Sequence, residues 1–209
     1  EDEAFARVVA SGNVVAVPEK AHSVRVQVRG LAPGRWYHYR FMAGDALSPS
    51  GRTRTADAPG AAVQRLRLGL GSCQHFEQGY FAAHRHLLGE DLDLMAFVGD
   101  YIYESSWGSD LVRRHATGTV HTLDDYRVRH AQYRLDPDLQ RLHGAVPWVL
   151  TWDDHEVEND YAGAQGEYLD PAFLARRAAA YQAYFEHLPM PPAMPLAGPD
   201  ARIFTRLDF

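Results

Sequence analysis

The sequence predicts an α/β fold, a largely parallel sheet with a site at its strand ends, preceded by a shorter all-β portion. Three observations predict it. Apolar runs over residues 66–70, 92–98 and 146–150 each stop at residues that can bind metal. Those stops read Gly71-Ser72-Cys73-Gln74, Gly99-Asp100-Tyr101-Ile102-Tyr103-Glu104 and Thr151-Trp152-Asp153-Asp154-His155-Glu156. Helical patterns separate the runs, whereas the first ~57 residues look all-β, with period-two alternation at residues 24–28. In open α/β sheets, ligands bind where the strand ends meet a crevice.

Taken in order, residues 24–28 (Val-Arg-Val-Gln-Val) alternate apolar and polar and predict a half-buried strand. Leu31-Ala32-Pro33-Gly34 makes a turn, and Trp36-Tyr37-His38-Tyr39-Arg40-Phe41 a second, aromatic strand. The Leu-x-Pro-Gly-x-x-Tyr arrangement resembles the tyrosine corner of fibronectin type III and immunoglobulin-like sandwiches. Too few strands precede residue 57 for a complete sandwich, so residues 1–57 predict a partial one whose missing strands are expected before residue 1. Residues 56–62, with Pro59-Gly60 at the centre, predict a linker to a second domain over 63–209.

In that second domain, strand 66–71, a helix over 78–88 stopped by Gly89, and strand 92–98 form a β-α-β unit with a parallel pair. Asp124-Asp125 opens a helix through Tyr133. Asp136-Pro137 opens another, with an acid and an early proline at its start. Strand 146–151 restores the sheet, and residues 171–187 form a long helix. The last residues, 203–209, read like the start of a further strand. Both ends of the chain read as interior points of a longer protein.

Composition narrows the function. The chain has 209 residues, 27 Asp plus Glu against 21 Lys plus Arg, and a formal charge of −6. That balance gives no electrostatic footprint for nucleic acid or an anionic membrane. No apolar run approaches the ~20 residues needed to span a bilayer, and no leader opens the chain. Cys73 is the only cysteine, so an intrachain disulfide is impossible.

Asp100 follows a consecutive apolar run, where an unpaired carboxylate is costly and a metal ion would remove the cost. Tyr103 can reach back to the same ion; the bland alternative is a loop cap and ordinary aromatic packing. Cys73, at the end of the neighbouring strand, is either an inert buried thiol or a third donor. A thiolate, a phenolate and a carboxylate on one ion suit ferric iron; oxygens of Asp100 and Asp154 suit calcium or another hard divalent ion. In residues 153–156 we assign Asp154 as a metal ligand and His155 as a donor to a phosphoryl oxygen. Asp153, Glu156 and Asn159 are auxiliary candidates. Arg113, Arg114, Arg127 and Arg129 read either as phosphate contacts or as solvated helix faces.

Together these segments resemble the PhoD-like alkaline phosphatases, a branch of the metallophosphoesterases. The resemblance rests on Gly-Ser-Cys-Gln at 71–74, Gly-Tyr-Phe at 79–81 and Gly-Asp-Tyr-Ile-Tyr-Glu at 99–104. It also rests on Asp-Tyr-Arg-x-Arg-His-Ala-Gln-Tyr-Arg at 125–134 and Trp-Asp-Asp-His-Glu-Val-Glu-Asn at 152–159. It implies a metallophosphoesterase-like α/β sandwich behind an amino-terminal β-sandwich. It implies hydrolysis of phosphate monoesters and diesters outside the cytoplasm, with iron (Fe3+) and calcium. Cys73 and Tyr103 would then hold iron, Asp100 would bridge the metals, Asp154 would be a ligand, and His155 the catalytic histidine. The family's last metal-binding residues lie in later segments, so residues 1–209 alone are expected to be nearly inactive. The competing reading is a non-catalytic binding module with a degenerate phosphoesterase portion.

Overall fold

The structure, a computed structural model, describes residues 3–190. The strand expected over 203–209 lies outside the described residues. Seven strands and four α-helices follow one another in the described chain.

The amino-terminal portion is all-β but sparser than expected. Strand β1 (Trp36–Tyr39) pairs antiparallel with β4 (Gly51–Arg54), and β2 (Met42–Ala43) with β3 (Ala46–Leu47). Tyr37 is buried, and its hydroxyl accepts from the Ala32 N–H at 2.9 Å. That bond reaches upstream across the turn, as a tyrosine corner does. Residues 24–28, in contrast, form no strand, and Val26 and Val28 are exposed. Alternation marks a face that could be half buried; a strand also needs a neighbour to take its N–H and C=O groups. Among the described residues no strand pairs there.

The α/β portion follows its periodicity closely. Strands β5 (Leu68–Gly71), β6 (Leu94–Val98) and β7 (Trp148–Thr151) make a parallel sheet in the order β5-β6-β7. Between β5 and β6 runs α1 (Ala82–Leu87), shorter than the spacing predicts. Residues 76–78 form a 3-10 turn instead, and a second one, Leu88–Glu90, ends the helix. Helix α2 (Leu123–Arg134) starts on a capping box between Thr122 and Asp125. Helix α3 (Pro137–Ala145) starts where the Asp-Pro pair places it: one Asp136 oxygen accepts from both Asp138 and Leu139 N–H. Helix α4 (Phe173–His187) packs along α2.

Met95, Phe97, Trp148 and Leu150 bury one sheet face. His143 of α3 stacks on Trp148 with ring centroids 3.8 Å apart. Leu68, Leu70 and Val98 on the opposite side of the strands are exposed among the described residues. The two portions touch through Arg52, whose Nε donates to the Ala145 carbonyl at 2.8 Å, and Arg54, 3.6 Å from Asp93.

A buried imidazole makes this packing sensitive to acid. His130 of α2 is completely buried, stacks on His187 of α4 at 5.4 Å, and has no hydrogen-bond partner for either nitrogen. Burial, then the nearby His187, Arg134 and Arg129, hold its pKa well below the ordinary value. The unfolded chain therefore takes up a proton that the folded chain refuses. Stability is full above the unfolded value of ~6.5 and declines as pH falls towards the folded one. His130→Phe is expected to flatten that decline, which denaturant melts of the intact protein at neutral and mildly acidic pH would measure.

Candidate metal centre

Three neighbouring parallel strands end at the site. Beyond the sheet, the Cys73 N–H donates to the Gly99 carbonyl at 3.2 Å and the Gln74 N–H to that of Asp100 at 3.1 Å. These bonds carry Cys73 alongside Asp100. The chain bends sharply to do so. Cys73 and Asp100 sit at φ 58° and 55°, in the left-handed region that side chains disfavour. Gly99 precedes Asp100 at φ 108°, and a Cβ there would lie 2.8 Å from the Asp153 backbone nitrogen. Only glycine fits where the β6 and β7 ends cross. Backbone strain of order 1–3 kcal/mol per residue is held at the two predicted ligands.

Two groupings of donors share Asp100. In the first, the Tyr103 hydroxyl donates to Asp100 Oδ2 at 3.0 Å, and the exposed Cys73 thiol feels the charge of that Asp100 carboxylate. Burial and the Asp100 carboxylate push the Tyr103 phenol far above its usual range. For Cys73, a hydrogen bond from Ser72 favours the thiolate; burial and Asp100 outweigh it and raise the pKa. In the second grouping, ligand atoms of Asp100, Asp154 and His155 all lie within 4.8 Å of one another. Asp100 Oδ1 is buried and has no hydrogen-bond partner among the described residues. Such an atom needs a cation or an ordered donor, because burying an unpaired carboxylate oxygen is costly. The residues present thus fit a metal.

Of the sequence-predicted site residues, Asp100, Asp154 and His155 bring ligand atoms together, Tyr103 bonds to Asp100, and Cys73 is tied beside it through the Gly99 backbone. The auxiliary candidates separate. Glu156 is fully buried and turns away from the rim. Its carboxylate accepts from Tyr101 N–H at 2.5 Å, Asp153 N–H at 2.9 Å and Asp100 N–H at 3.1 Å. Burial nevertheless pushes its pKa up to about 8, against the pull of those donors. Asn159 pairs with Asp160 at 3.1 Å. Asp154 Oδ2 is steadied by the Asp160 N–H at 2.6 Å.

Three of the four candidate arginines are engaged within the protein. Arg129 is wholly buried and donates to the carbonyls of Tyr103, Thr117 and Gly118. Arg127 pairs with Glu186 and Arg113 with Asp136, each at 2.8 Å. Charge on a helix face cannot reveal which carboxylate a fold will bring beside it. Arg129 and Tyr133, whose hydroxyl accepts from the Tyr103 N–H at 3.1 Å, pin the loop that delivers Tyr103.

Glu104 is the residue that sequence reasoning left without a role. It is buried, and its Oε2 lies 2.8 Å from His155 Nδ1. Oε1 accepts from the Asn159 N–H. Burial disfavours a charged His155, but the bond and charge of Glu104, backed by Asp100 and Asp154, raise its pKa above the ordinary value. A glutamate one residue after a predicted ligand was the available signal. A carboxylate on one ring nitrogen fixes the tautomer and leaves Nε2 for another partner.

Comparison with known proteins accords with this geometry. Residues 1–57 match the PhoD-like phosphatase N-terminal domain, and residues 68–209 match the PhoD-like phosphatase family. The chain is 46% identical over 219 aligned positions to alkaline phosphatase D of Bacillus subtilis (strain 168), covering 100% of this chain and 37% of that protein. It also superimposes on a solved structure of PhoD with a TM-score of 0.94 at 47% identity, covering 98% of this chain and 40% of the other. The chain therefore spans about two fifths of the length of these relatives. It belongs to the PhoD-like phosphatase family.

Proposed function

We propose that the protein of which this chain is part is a metal-dependent hydrolase of phosphate monoesters and diesters. The single observation that carries the reading is Asp100. One carboxylate bonds the Tyr103 phenol, stands within ligand distance of Asp154 and His155, and keeps a buried oxygen without a hydrogen-bond partner among the described residues. Donor chemistry supports iron held by Cys73, Tyr103 and Asp100, with calcium shared by Asp100 and Asp154. Metals in such a site supply charge neutralisation for phosphoryl oxygens and an activated oxygen nucleophile.

The chain's own residues do the rest. Glu104 holds the Nδ1 proton of His155, so the ring presents Nε2 to substrate and can hydrogen-bond a phosphoryl oxygen or protonate the departing alkoxide. Tyr103 and Trp107 flank that ring at centroid distances of 4.2 and 4.8 Å and restrict its rotation and its water. Within the same proposal, residues 1–57 are part of a fibronectin- or immunoglobulin-like sandwich. Residues 63–209 then belong to a metallophosphoesterase-like α/β sandwich. The Tyr37 corner supports the first and the parallel β-α-β sheet the second. An extracytoplasmic location belongs to the reading as well, on family likeness.

The intact protein is expected to purify with iron and calcium and to hydrolyse p-nitrophenyl phosphate. Chelation should abolish the activity and the two metals together restore it. Full activity in protein shown by elemental analysis to be metal-free would refute the proposal.

A further inference from the structure

An open cleft of about 310 Å³ adjoins the centre, with Cys73 and Tyr103 on its inner wall and Tyr80 and Trp107 among its outer lining. Among the described residues no Lys, Arg, Asp or Glu lines it. Gln74, His75 and Gln78 give it polar groups, and Tyr80, Phe81 and Trp107 give it flat aromatic surface.

Trp107 dominates that surface. Among the described residues Trp107 is 42% and Tyr80 68% exposed. The indole is nevertheless held in place. Its Nε1 donates to Ser105 Oγ at 2.9 Å, and that hydroxyl donates in turn to Glu104 Oε1 at 3.3 Å. Its polar handle is thus used internally, and the ring stands edge-on to His155 at 73° and to Tyr103 at 77°. A rigid, partly exposed ring whose N–H is already satisfied loses little entropy on stacking.

We infer that this cleft is a subsite for an uncharged planar aromatic ring on the organic side of the phosphoester, with Trp107 as its stacking surface. The inference rests on the phosphoesterase reading for what lies at the metal centre. It adds a substrate class: esters of aryl groups are favoured over those of small alkyl alcohols. Stacking of this kind is worth about tenfold in affinity.

The test uses the metal-replete intact protein, its Trp107→Ala and Trp107→Phe variants, and two ligands that cannot be hydrolysed, phenylphosphonate and methylphosphonate. Calorimetric titration should show phenylphosphonate binding about tenfold tighter than methylphosphonate. Trp107→Ala should bring the two together, and Trp107→Phe should keep most of the preference. An unchanged preference in Trp107→Ala would overturn the subsite. So would a parallel loss of both ligands, which would mean that the indole only supports His155. Turnover of p-nitrophenyl phosphate is measured separately: its absence beside an intact phenyl preference would sink the phosphatase reading and leave the ring site standing.

Discussion

Asp100→Asn is expected to lower phosphoester turnover by the intact protein about 10³-fold, by removing the carboxylate common to both donor groupings. Loss of metal should accompany the loss of rate, read by elemental analysis on the same sample. The stability effect should have the opposite sign in metal-free protein. There the wild-type carboxylate is 7% exposed with one oxygen unpartnered, so an uncharged amide of the same shape relieves a burial cost. Thermal melts of chelated wild type and variant should show the variant at least as stable. Undiminished activity would remove Asp100 from the mechanism; a chelated variant much less stable than wild type would make it a structural residue.

Glu156→Ala is expected to cost about 3–5 kcal/mol, among the larger effects of a single substitution. Three backbone N–H donors, of Asp100, Tyr101 and Asp153, would lose their acceptor in a space that water does not reach. For a domain of this size that is a fall of roughly 10 °C or more in melting temperature. Activity should fall too, because the same carboxylate ties the β6 end, which carries Asp100, to the β7 end, which carries Asp154. Glu156→Gln keeps an acceptor oxygen and should lose only part of this. Melting curves within a degree or two of wild type for Glu156→Ala would show that the three amides find other acceptors.

The candidate ligands were legible because each sits directly after an apolar run. Parallel strands paired in register end on the same side of their sheet, so Cys73, Asp100 and Asp154 follow neighbouring strand ends. The β-α-β spacing and the Asp136-Pro137 helix start were equally local and held. Residues 24–28 failed for the opposite reason. Alternation is local, but a strand exists only when another supplies its hydrogen bonds. Glu104, Glu156 and Arg129 were illegible because their partners are distant: His155 lies 51 residues from Glu104, and Tyr101 lies 55 from Glu156. The cleft beside Trp107 likewise depends on walls from separate segments.

By itself the sequence determined which donor types this chain offers and at which strand ends, since hydrophobic periodicity and short-range turns act over a few residues. Only the tertiary structure decided which acids face one another at the strand ends and which brace the backbone. A buried carboxylate takes its role from the partner facing it, and that partner is chosen by packing across the sheet rather than by position along the chain.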